Sequence, residues 1–433
     1  MANKHASLDA LFADIADAIR EKTGDAGTIP AVEFPNKIRD NLEIAPLYLT
    51  FSSPSSFTLA VNDATKHWDG TLEYSTDTSA WSTWDGTTTL SSATSGSDNV
   101  LYLRGIGNTV IMGNKNSYKW VLTGSNIACT GNIENLLDYE TVKSGGHPTM
   151  ANYCYAHMFR GCTGLTQAPA LPATTLAPYC YEYMFSDCTG LTQAPALPAT
   201  TMKSHCYYYM FSGCTGLTQA PALPATTLAP YCYEYMFYGC TSLTQAPALP
   251  ATTVAIYCYT YMFRDCTGLT QAPALPATTM MNYCYSNMFQ GCTGLTQAPA
   301  LPATTLATCC YRWMFDGCTS LIQAPALPAT TSAESCYKSM FRGCTSLTQV
   351  PALPATNLKR ECYSNMFDGC TSLKLSSTQT GEYTQEYRIP SSGTGTTATN
   401  ALVEMFTGTG GTFTGSPAIN TTYYLSNTNT VVS

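Results

Sequence analysis

The sequence predicts a mixed fold: a solenoid of 26-residue coils stacking a parallel β-sheet, preceded by a small all-β sandwich and a short N-terminal helical segment. Three observations predict it. A Met-Phe pair recurs at 158, 184, 210, 236, 262, 288, 314, 340 and 366, each time inside nearly the same 26 residues. A fixed period of that length marks a stacked, quasi-one-dimensional architecture. Residues 46–127 lack the repeat and consist of short alternating runs separated by Ser, Gly, Asn and Asp, the pattern of a small sandwich. Residues 7–23 carry apolar side chains at three-four spacing, the mark of an amphipathic helix.

The N-terminal segment, 1–45, presents Leu8, Leu11, Phe12, Ile15 and Ile19 on one helical face, with Ser7 as N-cap and Gly24 as stop. About 45 residues bury little apolar surface alone. The stripe therefore needs a cover: a second copy of itself, a larger particle, or the next domain. Oligomerisation or docking is its expected role. In 46–127 the expected strands lie around 48–51, 57–61, 72–75, 87–90, 100–103 and 119–122. Trp81 and Trp84 follow a turn and are read as packing residues, with sugar stacking as the alternative. Residues 128–153 form a junction, where Asn132 to Leu137 is expected to cap the first open coil with a helix.

The nine coils run from Cys154 to Leu373. Leu191-Thr192-Gln193-Ala194 and its equivalents are the expected strand, ended by Pro195, which has no N–H to give a ladder. The stretch from Leu176 to Phe185 has helical or turn character and should form the opposite wall. At about 4.8 Å per rung, nine coils span roughly 40 Å. One coil cannot bury its own apolar face; stacking puts Leu on Leu, Met-Phe on Met-Phe and Tyr on Tyr. A Gln column from Gln167 to Gln349 is expected to hydrogen-bond along the stack or to the turn backbone. In the tail, 374–433, Met405-Phe406 and Phe413-Thr414-Gly415 echo the repeat as a degenerate, polar tenth coil, suited to closing an open end.

Composition narrows function. Charged residues make up 11% and the net charge is −8, which disfavours nucleic acid as a partner because that needs clustered Lys and Arg. No run of about 18 apolar residues occurs, so membrane insertion is not expected, nor is an apolar secretory leader evident. Eighteen of the 20 cysteines occupy two fixed repeat positions. Finger-type Cys pairs are missing and the five histidines follow no pattern, so neither a metal nor a cofactor is expected. Adjacent-rung disulfides are geometrically conceivable, but a column of small, buried, reduced thiols is the expectation. Asp69, Asp77, Asp85 and Asp98 lie in turn-like segments without the paired setting a glycosidase requires. The chain is expected not to be an enzyme.

Comparing the coils with one another separates fixed from free positions. Tyr155 and its equivalents to Tyr363 never change and should be packed. The two residues after them vary, as do those before each Cys, for example Pro178-Tyr179 and Ser204-His205. Tyr183, Tyr209, Tyr235, Tyr261 and Trp313 then form a candidate ligand-binding stripe, since Tyr and Trp supply contact area at low entropic cost. The face carrying the Thr and Gln columns competes with it.

The frame Met236-Phe237-Tyr238-Gly239-Cys240-Thr241-Ser242-Leu243-Thr244 resembles the BspA-type leucine-rich repeats of bacterial surface proteins. It departs from them in carrying Gln-Ala-Pro-Ala-Leu-Pro where relatives more often have a β-branched strand. The run Leu11 to Gly24 resembles the opening of tail-associated proteins from phages and prophages of gut Gram-positive bacteria, and the combination of that start, a β-sandwich, Met-Phe repeats and the tail Tyr387-Arg388-Ile389-Pro390 is similar to repeat proteins encoded in those genomes. The resemblance implies a phage tail or virion fibre component. It would be made in the host cytoplasm, assemble as a homo-oligomer, and attach to a tail structural protein by its helix. Its coils would bind a host-surface glycan or protein. A bacterial cell-surface adhesin is the other reading.

Overall fold

The computed structural model describes residues 46–113 and 118–432. The expected N-terminal helix, with Leu8, Leu11, Phe12, Ile15 and Ile19, lies outside them. Contacts divide the chain into two compact units, Met1–Leu47 and Tyr48–Ser433.

Nine strands open the second unit: β1 (Leu49–Ser53), β2 (Thr58–Val61), β3 (Thr71–Ser75), β4 (Ser82–Trp84), β5 (Leu90–Ser91), β6 (Ala93–Ser95), β7 (Asp98–Ile106), β8 (Trp120–Thr123) and β9 (Ile127–Thr130). One sheet has the order β9-β1-β7-β3-β4 with β6 also on β7, and a second has the order β5-β2-β8. Alternation decides which side chains go in: Leu49 and Phe51 of β1 and Leu101 and Leu103 of β7 are fully buried, every second residue facing the core. Phe51 meets Trp120 of the other sheet at 6.3 Å. Trp84 is buried and packs edge-on to Trp120 at 5.8 Å, as a core residue. Trp81 is half-buried under the Arg104 guanidinium at 4.1 Å.

Strands β4, β6 and β9 do not stand out in the sequence because each is only three or four residues long, and β4 and β6 are mostly polar as well. The last of them matters most. It pairs antiparallel with β1 and parallel with β10 (Leu165–Gln167) of the first coil, so one sheet passes from the N-terminal strands directly into the repeats. Phe159 of that coil contacts both Phe51 and Trp120, at 6.2 and 5.8 Å. The single helix among the described residues, α1 (Asn135–Lys143), begins three residues later than expected. It presses on β7 so closely that a Cβ at Gly105 would come 1.6 Å from the Leu136 carbonyl oxygen. Glycine is therefore required there.

The repeats stack in register. Phe159, Phe185 and their successors to Phe367 form a column with ring centroids 5.5–5.7 Å apart, and Phe406 continues it at 5.6 Å. Tyr155 to Tyr363 form a second column with neighbours 5.6–5.9 Å apart. All these rings, with the Met and Leu columns, are almost wholly buried. Each such side chain stabilises the stack by about 1.5–3 kcal/mol relative to exposure.

Two expectations about the coil are corrected. The sheet at Leu191 to Ala194 shrinks, in most coils, to single bridges at the glutamine: Gln193↔Gln219, Gln245↔Gln271 and so on. A proline two residues on removes the next donor and prevents the ladder from lengthening. Threonines add a second column of single bridges, as in Thr201↔Thr227↔Thr253. The Gln amides make no side-chain hydrogen bond among the described residues and point to solvent; the backbone, not an amide ladder, joins these rungs.

The opposite wall takes the turn alternative of the two the sequence left open: Leu176 to Phe185 leads into a train of tight turns. Left-handed residues occur every fourth position, for example Tyr179 (φ 60°), Tyr183 (φ 52°) and Asp187 (φ 61°). Alternate N–H groups take different partners. Glu182, Met184 and Ser186 donate three residues back within the coil, to Tyr179, Tyr181 and Tyr183. Tyr181, Tyr183, Phe185 and Asp187 donate to Cys206, Tyr208, Met210 and Ser212 of the next coil at 2.7–3.1 Å. Every donor in this stretch is thus satisfied, and the wall, rather than the glutamine face, carries the continuous inter-coil ladder.

The cysteines serve this wall. All 20 are buried free thiols, and from the second coil on the second of each coil donates to the Phe carbonyl of the preceding coil, as Cys188 does to Phe159 at 3.0 Å and Cys214 to Phe185 at 3.0 Å. Burial pushes these thiols well above their usual range, so they stay protonated and unreactive.

The C-terminal region closes the stack with strands. These are β11 (Gln349–Pro351), β12 (Leu375–Ser376), β13 (Tyr383–Arg388), β14 (Thr422–Ser426) and β15 (Thr430–Val432). They build a β12-β14-β13 sheet, and β15 pairs parallel with β11 of the eighth coil, Thr430 opposite Gln349. The glutamine column therefore ends under a strand rather than at an open edge.

Candidate recognition surface

The turn train decides which side chains leave the wall. Cys, Tyr, Met and Phe point in; the left-handed residues and those just before them point out. Tyr183, Tyr209, Tyr235 and Tyr261 all occupy the second left-handed position, with φ between 52° and 58°. They stack along the wall at 4.5, 4.1 and 4.4 Å, and His157 begins the column at 4.8 Å from Tyr183. Trp313 holds the same backbone position, but Asn287 separates it from Tyr261, and the Arg312 guanidinium lies 3.7 Å over its ring. Four of the five stripe residues are thus brought together and the fifth stands apart.

A second column runs beside the first. Tyr153, Tyr179, His205, Tyr231, Tyr257 and Tyr283 occupy the first left-handed position and stack at 4.4–4.9 Å. The signal for it is present in the sequence, because Tyr179 and His205 vary between coils in the same manner as the chosen stripe.

An aromatic residue in the left-handed region costs about 1–2 kcal/mol over glycine. A stacked aromatic pair returns about 0.5–1.5 kcal/mol. The two nearly cancel, so stacking alone does not explain aromatics here. At the third left-handed position the same wall uses Gly161, Gly213 and Gly239, the cheap solution. The first five coils thus place large rings where the backbone would accept glycine.

Stacking also limits what the rings can do. Tyr209 has Tyr183 on one face and Tyr235 on the other. Interior rings offer a ligand their edges and hydroxyls, not their faces. Sugar stacking of the sandwiching kind is excluded along the columns.

Between the columns runs a third row. Tyr208 meets His205 of one column at 5.4 Å, and Tyr183, Tyr209 and Tyr235 of the other at 5.6, 4.6 and 6.3 Å, always near edge-on. One coil either side, the same position holds Glu182 and Glu234, each 8% exposed. Desolvation pushes Glu182 up to about 7 and Glu234 up to about 8. Desolvation likewise raises the phenols of Tyr153, Tyr183, Tyr235 and Tyr257, members of both columns, with Glu182 or Glu234 as a lesser cause. Desolvation also lowers His157 to about 4, with Arg160 as a second cause.

Beyond the fifth coil the wall changes. Its middle row becomes Arg312, which lies over the Trp313 ring, and Lys338, which pairs with Glu361 at 2.7 Å; beside them Arg342 pairs with Asp316 at 2.9 Å. Elsewhere, Asp69, Asp77 and Asp85 accept backbone N–H groups of nearby turns and so act as turn caps. No three His, Cys, Asp or Glu side chains converge as a metal-binding group among the described residues. The Thr and Gln columns line a shallow groove at Thr218, Gln219, Thr244 and Gln245 without a charged or aromatic group.

The BspA-type leucine-rich repeat region matches this chain in six copies, over residues 147–270, 182–321 and 260–387. Together these span more than half of it. The chain belongs to the BspA-type leucine-rich repeat family. No curated relative and no solved structure matches it. Family membership accounts for the repeated Met-Phe and Gly-Cys-Thr frame, all of it inward or turn-forming. The outward columns and the acidic row between them lie on positions that vary from coil to coil.

Proposed function

We propose that this BspA-type repeat protein is a non-enzymatic recognition protein that binds a host-surface protein or glycan through the outer wall of coils one to five. On this reading the repeats form a solenoid and residues 46–127 a sandwich that closes its first coil. The observation that carries the proposal is the double aromatic column: rings held in left-handed backbone where glycine would be cheaper, on positions that vary from coil to coil. Strained residues of this kind are retained where they serve a site. The covered ring faces favour a partner that presents hydrogen-bonding and charged groups.

We further propose a phage tail or virion fibre as the setting, supported by the resemblance of Leu11 to Gly24 to tail-associated openings. The segment 1–45 would then serve for docking and homo-oligomerisation. A cell-surface adhesin shares the same wall and is supported by the family's occurrence in bacterial surface proteins. Replacing Tyr209, Tyr235 and Trp313 together by Ala tests the common element. Binding of the full chain to host cells should fall to background, with Tyr209 and Tyr235 carrying the loss. Undiminished binding would move the site off this wall.

A further inference from the structure

Glu182 and Glu234 are unpartnered. Among the described residues no hydrogen bond or ion pair reaches either carboxylate, although each is more than nine-tenths buried. A buried carboxyl without a partner is costly. The cations of the rear coils offer no help: Lys338, Arg342 and Arg360 have their own carboxylates, and Arg312 lies over the Trp313 ring. Arg160 of the first coil lies over the Tyr183 ring at 5.0 Å instead. The charge imbalance of the front wall is therefore not met from within the described chain.

We propose that the row Glu182–Tyr208–Glu234 is a docking site for primary ammonium groups, occupied by lysine side chains of a protein partner. This rests on the wall being the recognition face and names its ligand chemistry. An ammonium brings three donors and no acceptor; the row supplies carboxylate and phenol oxygens and no cation. Quaternary ammonium ions are recognised chiefly over ring faces, and here the faces are covered by stacking. A guanidinium loses the same advantage. An amino sugar bears its ammonium directly on a bulky polar ring and has no stem to carry the head to a recessed carboxylate. Lysine has the required reach: its four-carbon stem lies along apolar ring edges while the head extends inward. Two coils separate Glu182 from Glu234, about 10 Å at the usual rung spacing, so two lysines of one partner can be held at once.

The groups facing Glu182 are Tyr153, Tyr183 and Tyr208; those facing Glu234 are Tyr183, Tyr208, Tyr235 and Tyr257. His205 touches Tyr208 between them. Because both acids must ionise to hold a cation, binding should strengthen as pH rises through about 7 and about 8.

The test is calorimetric titration of the full chain at pH 8.5 with n-butylammonium, tetramethylammonium and glucosamine, the last at concentrations raised so that its protonated form matches the other two. Saturable binding is expected for n-butylammonium alone. In E182Q/E234Q it should weaken about tenfold or more, the loss of a charge-assisted contact. The wild type alone gives a second measurement that needs no variant: its n-butylammonium binding should disappear at pH 5.5. Equal binding by the Gln variant, equal binding at both pH values, or glucosamine or tetramethylammonium binding as well as n-butylammonium would each overturn the proposal. Those results would leave host-cell attachment through the tyrosine columns standing. Loss of that attachment reading would in turn leave a positive amine titration intact.

Discussion

Tyr207 and Tyr209 lie two residues apart in one coil and play opposite parts. Tyr207 is 1% exposed and sits 5.8 Å from Tyr181 and from Tyr233 in a column that runs through all nine coils. Tyr209 is half-buried, left-handed at φ 54°, and belongs to a column that stops after the fifth coil. One backbone period produces both columns. The inner one continues because every coil must bury the same face against its neighbours. The outer one is free to stop, since the turns it rides on close equally well with Asn287, Ser339 or Asn365. An inner position answers to the fold and an outer one to whatever the wall touches.

The comparison can be broken from the inside first. Phe211 lies between Phe185 and Phe237 at 5.7 Å from each and is fully buried. Its replacement by Ala should cost about 3–5 kcal/mol, read from equilibrium denaturation; a loss below about 1 kcal/mol would mean the inner column is not the source of stability.

A smaller effect sharpens the outside. Glu182 and Glu234 have an ordinary value of 4.5, raised in the fold to about 7 and about 8. The folded state therefore holds their protons more tightly than the unfolded chain does. Their contribution is fully present below about pH 4.5 and is lost as pH rises to about 7 and about 8, beyond which it is flat. E182Q/E234Q should remove that decline and be more stable than the wild type at pH 9. Melting temperatures of both proteins from pH 5 to 9 check this; parallel curves would show that the two acids are not desolvated.

Much of the molecule is legible in its residues. The period, the inward Leu, Met-Phe and Tyr columns and six of the nine opening strands follow from apolar spacing alone. The outward placement of Tyr183, Tyr209, Tyr235 and Tyr261 is legible too, because variation inside a rigid repeat marks the outside. The left-handed turn train escapes that reading, although Gly161, Asp187 and Gly213 hint at it by following His157, Tyr183 and Tyr209 at a spacing of four. Aromatics in left-handed backbone contradict local preference, so local reasoning goes wrong where inter-coil hydrogen bonds override it. The strand at Gln193 is overestimated for a related reason: its length depends on the prolines of neighbouring rungs as well as its own. Glu182 and Glu234 are visible as free positions, but their burial arises from two flanking columns that form only when five coils are stacked.

The division between inner and outer face is measured most directly by equilibrium unfolding of Tyr207→Ala and Tyr209→Gly in the full chain. A loss of about 3–5 kcal/mol is expected for the first. A change within about 1 kcal/mol is expected for the second, where relief of the left-handed backbone offsets the lost stacking. Equal losses at the two positions would mean that the wall has no separate outer face.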